Sequence, residues 1–204
     1  MNISDTVEHW PVASSAVLTR SRLVTVRSDQ VRTPDNQLAE RDVVLHPGAV
    51  AALALDAEDR ILMIRQYRHP VGRLLWEIPA GLRDVAGEDP WLTAQRELME
   101  EAGYRARDWR VLADYYSSPG FSTERLRIFL ARDLEAVPAA ERHFVPRDEE
   151  AHLLLGWLPL DEAVRKVFAG ELHNGPAILA ITAGYAARSE GFDRLRPADA
   201  PEEQ

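Results

Sequence analysis

The chain has no cysteine, which removes disulfides, thiolate metal ligands and thiol nucleophiles together. It is also nearly without lysine: Lys166 is the only one, so almost every cationic side chain is the planar, forked guanidinium of arginine. No apolar run approaches the roughly 18–20 residues that a membrane span needs. The first ten residues, MNISDTVEHW, have no basic stretch leading into an apolar one, so no secretory leader is expected and a cytoplasmic setting is. A basic excess is missing as well. The net charge is −9, which argues against a nucleic-acid partner, since duplex binders present a basic face. Internal repeats and low-complexity blocks are absent.

What remains is an ordinary globular composition: 204 residues, 46% hydrophobic and 28% charged, enough for one large domain or a domain with a small appendage. Residues 1–16 are mixed and are expected to be disordered or extended. From 17 to 46 the pattern is strand-like, with AVLTRSRLVTVRSDQV and ERDVVLH separated by turn chemistry at Pro34-Asp35-Asn36. These strands are too few to stand alone and must pack on the rest of the chain or on a second chain. Further strands are expected at 48–56, 61–69 and within LLWEIPAGL, WRVLADYYSS, LRIFLARDL and AHLLLGWLPL. Asp89 and Pro90 open a helix that runs to Ala102, where Gly103 is placed to end it. Two more helices are read in DEAVRKVFAGEL and GPAILAITAGYAARSEG, and the tail 194–204 reads as disordered. Strands broken by a few helices predict an α+β fold with a mixed sheet between helices.

The helix 90–102 carries the chemistry. Trp91, Ala94, Leu98 and Ala102 form an apolar stripe, and Glu97 and Glu101 share the face beside it, with Glu100 adjacent. Like charges at this spacing repel, and partial burial increases the cost. A divalent cation offsets that repulsion: Mg²⁺ takes carboxylate oxygens together with substrate phosphate and water.

The surrounding residues resemble the Nudix box. Gly81 opens it, Glu88 follows, and Arg96-Glu97-Leu98-Met99-Glu100-Glu101-Ala102-Gly103-Tyr104 closes it. Seven residues separate Glu88 from Arg96, as in that family, but six rather than the usual five lie between Gly81 and Glu88. The extra residue falls in a loop, which leaves the helix register untouched. The resemblance implies a Nudix α/β/α sandwich with a mixed β-sheet over 47–193. It also implies a small N-terminal antiparallel β-sheet over 17–46, used in dimerisation, and hence a homodimer with sites between chains. Metal ligands are then Glu97, Glu101 and Glu100, with Glu88 in support and the Ala80 carbonyl contributing. Arg96 orients the carboxylates, and Mg²⁺ is the expected cofactor, with Mn²⁺ as an alternative.

SSPGFSTE, with Pro119 fifteen residues beyond Tyr104, resembles the ADP-ribose pyrophosphatase branch of the family, as does IRQYRHPVGRLLWEIPAG. In that branch Arg65 and Arg68 would meet phosphates or adenine, Pro119 and Gly120 would shape the substrate loop, and Glu124 would reach a ribose hydroxyl. Glu150, ahead of Glu149, would deprotonate the attacking water, with Glu100 and Arg96 also in the catalytic set. Histidines 69, 143 and 152 are read as structural or surface, and Trp76 and Trp157 as core. The implied reaction is hydrolysis of ADP-ribose to AMP and ribose 5-phosphate. The alternatives are another nucleoside diphosphate sugar, a dinucleotide such as NADH, or a non-catalytic ADP-ribose sensor. Isopentenyl diphosphate isomerisation, also known on this fold, calls for a cysteine that the chain lacks.

Overall fold

The structure is a computed structural model that describes residues 2–142 and 153–202. The chain divides into two compact units. One holds the residues up to Pro47 together with Tyr116–Glu124, and the other holds Gly48–Tyr115 with Arg125–Ala200.

The first unit is an antiparallel sheet of β1 (Val12–Arg20), β2 (Thr25–Arg32) and β3 (Leu38–Leu45), in that order. The strand-like run read as one segment is in fact broken at Ser21, whose hydroxyl and amide both bond to Val24. The second turn falls where Pro34-Asp35-Asn36 placed it, and Asn36 takes a left-handed φ of 65°. β1 begins at Val12, earlier than the composition of 1–16 suggested, and all nine of its residues are exposed. The Ser118–Thr123 loop lies along β3, with Val44 N–H donating to Phe121 O at 2.7 Å and Thr123 N–H to Val44 O at 3.0 Å.

The second unit is built around β4 (Ala49–Ala54), an apolar strand whose six residues are all buried. A strand buried on both faces reads as a continuous apolar run, and AVAALA is one. It lies between β9 (Arg125–Ala136), which it pairs in parallel, and β7 (Ala80–Leu82), which it pairs antiparallel. β8 (Tyr104–Tyr116) and the two-residue β11 (Arg196–Pro197) complete this mixed sheet in the order β11-β8-β9-β4-β7. A second, antiparallel sheet runs β10 (Leu154–Pro159), β5 (Arg60–Arg68), β6 (Arg73–Glu77). One face of the core holds Leu53, Met63 and Ile128 with helices α2 (Leu160–Phe168) and α3 (Gly175–Arg188). The other packs Val50, Ala52, Leu62 and Phe129 against α1 (Pro90–Ala102). The fold is α+β, as expected, and Trp76 and Trp157 pack against the two core faces.

The tail departs from expectation. Arg196–Pro197 pairs with β8, and Ala198 and Ala200 pack on the core under α1. Its composition is polar, but β9 places Arg127, only 2% exposed, where a partner is obligatory. Arg127 makes a forked pair with Asp114 at 2.7 and 2.9 Å and also donates to Ala200 O at 2.6 Å. Arg196 joins Asp114 at 2.8 Å. Burial alone would raise the Asp114 pKa, but the two arginines outweigh it and hold the carboxyl below its ordinary 3.8.

Asp114→Ala, which strips Arg127 of its forked partner, is expected to cost about 3 kcal/mol and to lower Tm by about 6–12 °C. Because the folded pKa is depressed, the contribution is complete above 3.8 and is lost as the pH falls through the lower folded value. Tm measured against pH should therefore fall less steeply on the acid side for Asp114→Asn than for the parent chain.

Candidate active site

The acidic helix is set by its two ends and its inner face. Asp89 occupies the cap position, but its side chain makes no capping bond; its carbonyl receives Leu92 N–H at 2.9 Å instead. Pro90 fixes the first helical φ, and Gly103 closes the helix at φ 71° with its N–H on Met99 O at 2.9 Å. Thr93, Ala94, Leu98 and Ala102 are buried. That fixes the rotation of α1 and turns Glu97 and Glu101 towards β7, the strand that begins at Ala80.

Both glutamates close on the same two residues. Ala80 N–H donates to Glu101 Oε2 at 2.9 Å. A Cβ built on Gly81 would lie 2.1 Å from the Glu97 carboxyl carbon and from its Oε1. Position 81 therefore holds glycine because the Glu97 carboxylate occupies the space of a side chain.

Arg96 holds the remaining acids. Its Nη1 donates to Glu97 Oε1 at 2.7 Å and reaches Glu100 Oε2 at 3.5 Å, while Nη2 reaches Glu88 Oε2 at 3.3 Å. Burial alone would lower the guanidinium pKa; the bond to Glu88 and the charges of Glu97, Glu88 and Glu100 outweigh it and raise it. Glu88 also accepts from the Thr93 hydroxyl at 2.7 Å. That bond first, and Arg96 second, hold its pKa below the ordinary carboxylate value. The extra residue in the 82–87 loop is taken up in a turn where Glu88 N–H bonds to Val85 O at 3.2 Å and Gly87 adopts φ 80°. Glu88 thus still reaches the cluster.

Among the described residues no three His, Asp or Glu side chains are drawn together as a metal cage. The carboxylates are engaged instead by Arg96 and the Ala80 amide. The donor set nonetheless fits a hard divalent cation: half-buried carboxylate oxygens beside a main-chain segment kept clear by glycine.

Arg65 and Arg68, read as a pair, are separated by strand alternation. In β5 the residues 61, 63 and 65 share one face and 62, 64, 66 and 68 the other. Arg68 makes a forked pair with Glu77 at 2.9 and 2.6 Å; Glu77 is buried and Arg68 is 44% exposed. Arg65 lies opposite Trp76, and its guanidinium has no hydrogen bond or ion pair among the described residues. Pro119, Gly120 and Glu124 belong to the first unit. There the Ser117 hydroxyl donates to Glu124, and His46 Nε2 is 3.8 Å from its other carboxylate oxygen. Glu149 and Glu150, with His143 and His152, lie outside the described residues. Sequence reasoning passed over Glu77 and Thr93. An acid inside the apolar run LLWEIP was the available signal for the first, and a hydroxyl five residues after Glu88 for the second.

Comparison with known proteins adds four findings. The model of the NUDIX domain matches residues 45–178. The chain is 47% identical over 193 residues to an ADP-ribose pyrophosphatase of Mycobacterium tuberculosis, covering 94% of this chain and 91% of that one. It is 35% identical over 160 residues to an ADP-ribose pyrophosphatase of Bacillus subtilis, covering 78% and 84%. A solved structure described as an ADP compounds hydrolase superposes with a TM-score of 0.75 over 92% of this chain and 99% of that one; at 21% identity it speaks for the fold alone.

Gly81→Ala tests the close approach directly. Its φ is not left-handed, so alanine is tolerated by the backbone, and it is the Glu97 side chain that must move. Tm should stay within about 4 °C of the parent, while metal-dependent turnover falls by at least about tenfold. Unchanged turnover would show that the Glu97 position is immaterial.

Proposed function

The chain belongs to the Nudix family, and from that premise we propose that it hydrolyses the diphosphate of ADP-ribose to AMP and ribose 5-phosphate. The observation that carries the reading is the convergence of Glu97 and Glu101 on Ala80–Gly81, with Arg96 spanning Glu88, Glu97 and Glu100. The 47% identity to an enzyme named for this substrate, over nearly the whole of both chains, supports the choice of ADP-ribose.

A divalent cation, Mg²⁺ or else Mn²⁺, would be held by Glu97, Glu101 and Glu100 with the Ala80 carbonyl. Bound there, it would neutralise diphosphate charge and lower the pKa of a water. The protein's own part is positional. Arg96 holds Glu88, Glu97 and Glu100 in direction. Glu88, fastened by Thr93, steadies Arg96 rather than facing the ligand. Arg68 offers guanidinium donors to the diphosphate from a strand edge, and Arg65, with no hydrogen bond or ion pair among the described residues, is a second cation open to an anionic group. Glu150, or Glu149, takes the proton of the attacking water. Water attacks phosphorus in line, the P–O–P link breaks, and no covalent enzyme intermediate forms.

The working unit is proposed to be a homodimer in the cytoplasm. β1 is an exposed edge strand carrying Val12, Val17 and Leu18, each at least half exposed, a liability that proteins ordinarily cover. Among the described residues no helix is long and apolar enough to cross a membrane. Nucleic acid is not proposed as a partner, given the net charge of −9.

Two measurements test this reading. AMP release across ADP-ribose, ADP-sugars, dinucleotides and dNTPs, with and without Mg²⁺, should favour ADP-ribose and require the metal. Glu97→Gln should lose at least about 10² in kcat while remaining folded. Faster turnover of another substrate would reassign the specificity, and near-normal turnover by the variant would remove the mechanism. Light scattering should give a dimer for the parent chain and a monomer for Val17→Lys/Leu18→Lys.

A further inference from the structure

One buried polar group near the site has no use in the reading above. Gln66 lies on β5 between Arg65 and Arg68, is only 7% exposed, and its Oε1 has no hydrogen-bond partner among the described residues. A buried acceptor left unpaired is costly. Its own face of the strand did not need it: Leu62 and Ile64, the preceding residues on that face, are fully buried and apolar.

The position of Gln66 indicates what it faces. Ile64 is paired with Glu77 and Gln66 with Leu75, so these side chains share a face with Arg68. Arg68, in register with Arg73, reaches back along that face to Glu77 and passes position 66 on the way. It is the same face that carries Leu62 into the cluster beneath Ala94 and Leu98 of α1. Three residues beyond Glu77 the chain reaches Ala80, whose amide holds Glu101. The orphaned acceptor therefore lies on the α1 side of the sheet, beside the Arg68–Glu77 pair.

Phosphate oxygens are acceptors and cannot satisfy a carbonyl oxygen; the missing partner must carry an O–H or an N–H. We propose that Gln66 is a ligand-reading residue whose Oε1 accepts a hydrogen bond from the bound substrate complex, either from a hydroxyl or amino group of the nucleotide sugar or from a water on the cation. The inference rests on the diphosphate-sugar reading of the site. Among the described residues the acceptor is unpaired, and stability is given up for recognition.

The test separates recognition from a role in the fold. Gln66→Leu and Gln66→Met remove the acceptor at nearly constant volume. Tm is measured in EDTA, and calorimetry follows Mg²⁺ alone and then α,β-methylene ADP-ribose in Mg²⁺. In EDTA both variants should melt at the parent temperature or about 2–4 °C higher, and the analogue should bind about tenfold more weakly. If binding of Mg²⁺ alone weakens too, the donor is a metal-bound water; if only the analogue weakens, it is a donor of the nucleotide sugar. Analogue affinity within twofold of the parent in either folded variant overturns the proposal. So does a loss of more than about 4 °C in both, which would assign Gln66 to the fold. A parent chain that fails to bind the analogue in Mg²⁺ would instead sink the ADP-ribose reading, and this inference with it.

Discussion

Glu97, Glu100 and Glu101 within about one turn of α1, with Glu88 brought in from the loop before it, crowd negative charge that needs a cation, and Arg96 supplies one from the chain itself. It touches Glu88, Glu97 and Glu100 at once, at 3.3, 2.7 and 3.5 Å. Glu101 is held separately by the Ala80 amide. Without the guanidinium the acids would repel across a half-buried face, where water screens them less than in bulk. With it they are fixed in direction. A fixed fan of carboxylate oxygens is what a hard cation needs, so the arginine acts through the carboxylates.

That arrangement depends on packing far from the charges. The inner face of α1 is locked by Ala94, Leu98 and Ala102 against Val50, Ala52 and Phe129. β4 is buried throughout and carries β7 on one side and β9 on the other, so the strand that meets the glutamates is placed by the centre of the core. The Asp114–Arg127–Arg196 network secures the far side of the same sheet and draws the tail onto it. The Glu97–Glu101 face and the Ala80–Gly81 segment it meets are therefore borne by helix and strand, and such elements hold geometry best.

Local signals were legible wherever one residue decided the outcome. Pro90 and Gly103 bound α1, the spacing of Glu97 and Glu101 put them on one face, and Asn36 marked the first-unit turn. Signals failed where the deciding partner was distant in sequence. The tail read as disordered because nothing in PADAPEEQ announces that Arg127, some seventy residues earlier, waits for Ala200 O. Arg65 and Arg68 read as a pair because both precede the box; only the strand, with its period of two, sends them to opposite faces. Asp89 was a reasonable cap by residue type, but its main chain does the capping and its carboxylate makes no bond to the helix.

By itself the sequence determined the family, the α+β class and the identity of the acids, because these follow from residue type at short fixed spacings. The tertiary structure alone decided that Gly81 is glycine because Glu97 fills the space of its side chain, that Glu88 still reaches Arg96 across a lengthened loop, and that Gln66 has an acceptor unanswered among the described residues. Each of these is a contact between elements, and its energy depends on which surfaces the core brings together, which no local pattern encodes.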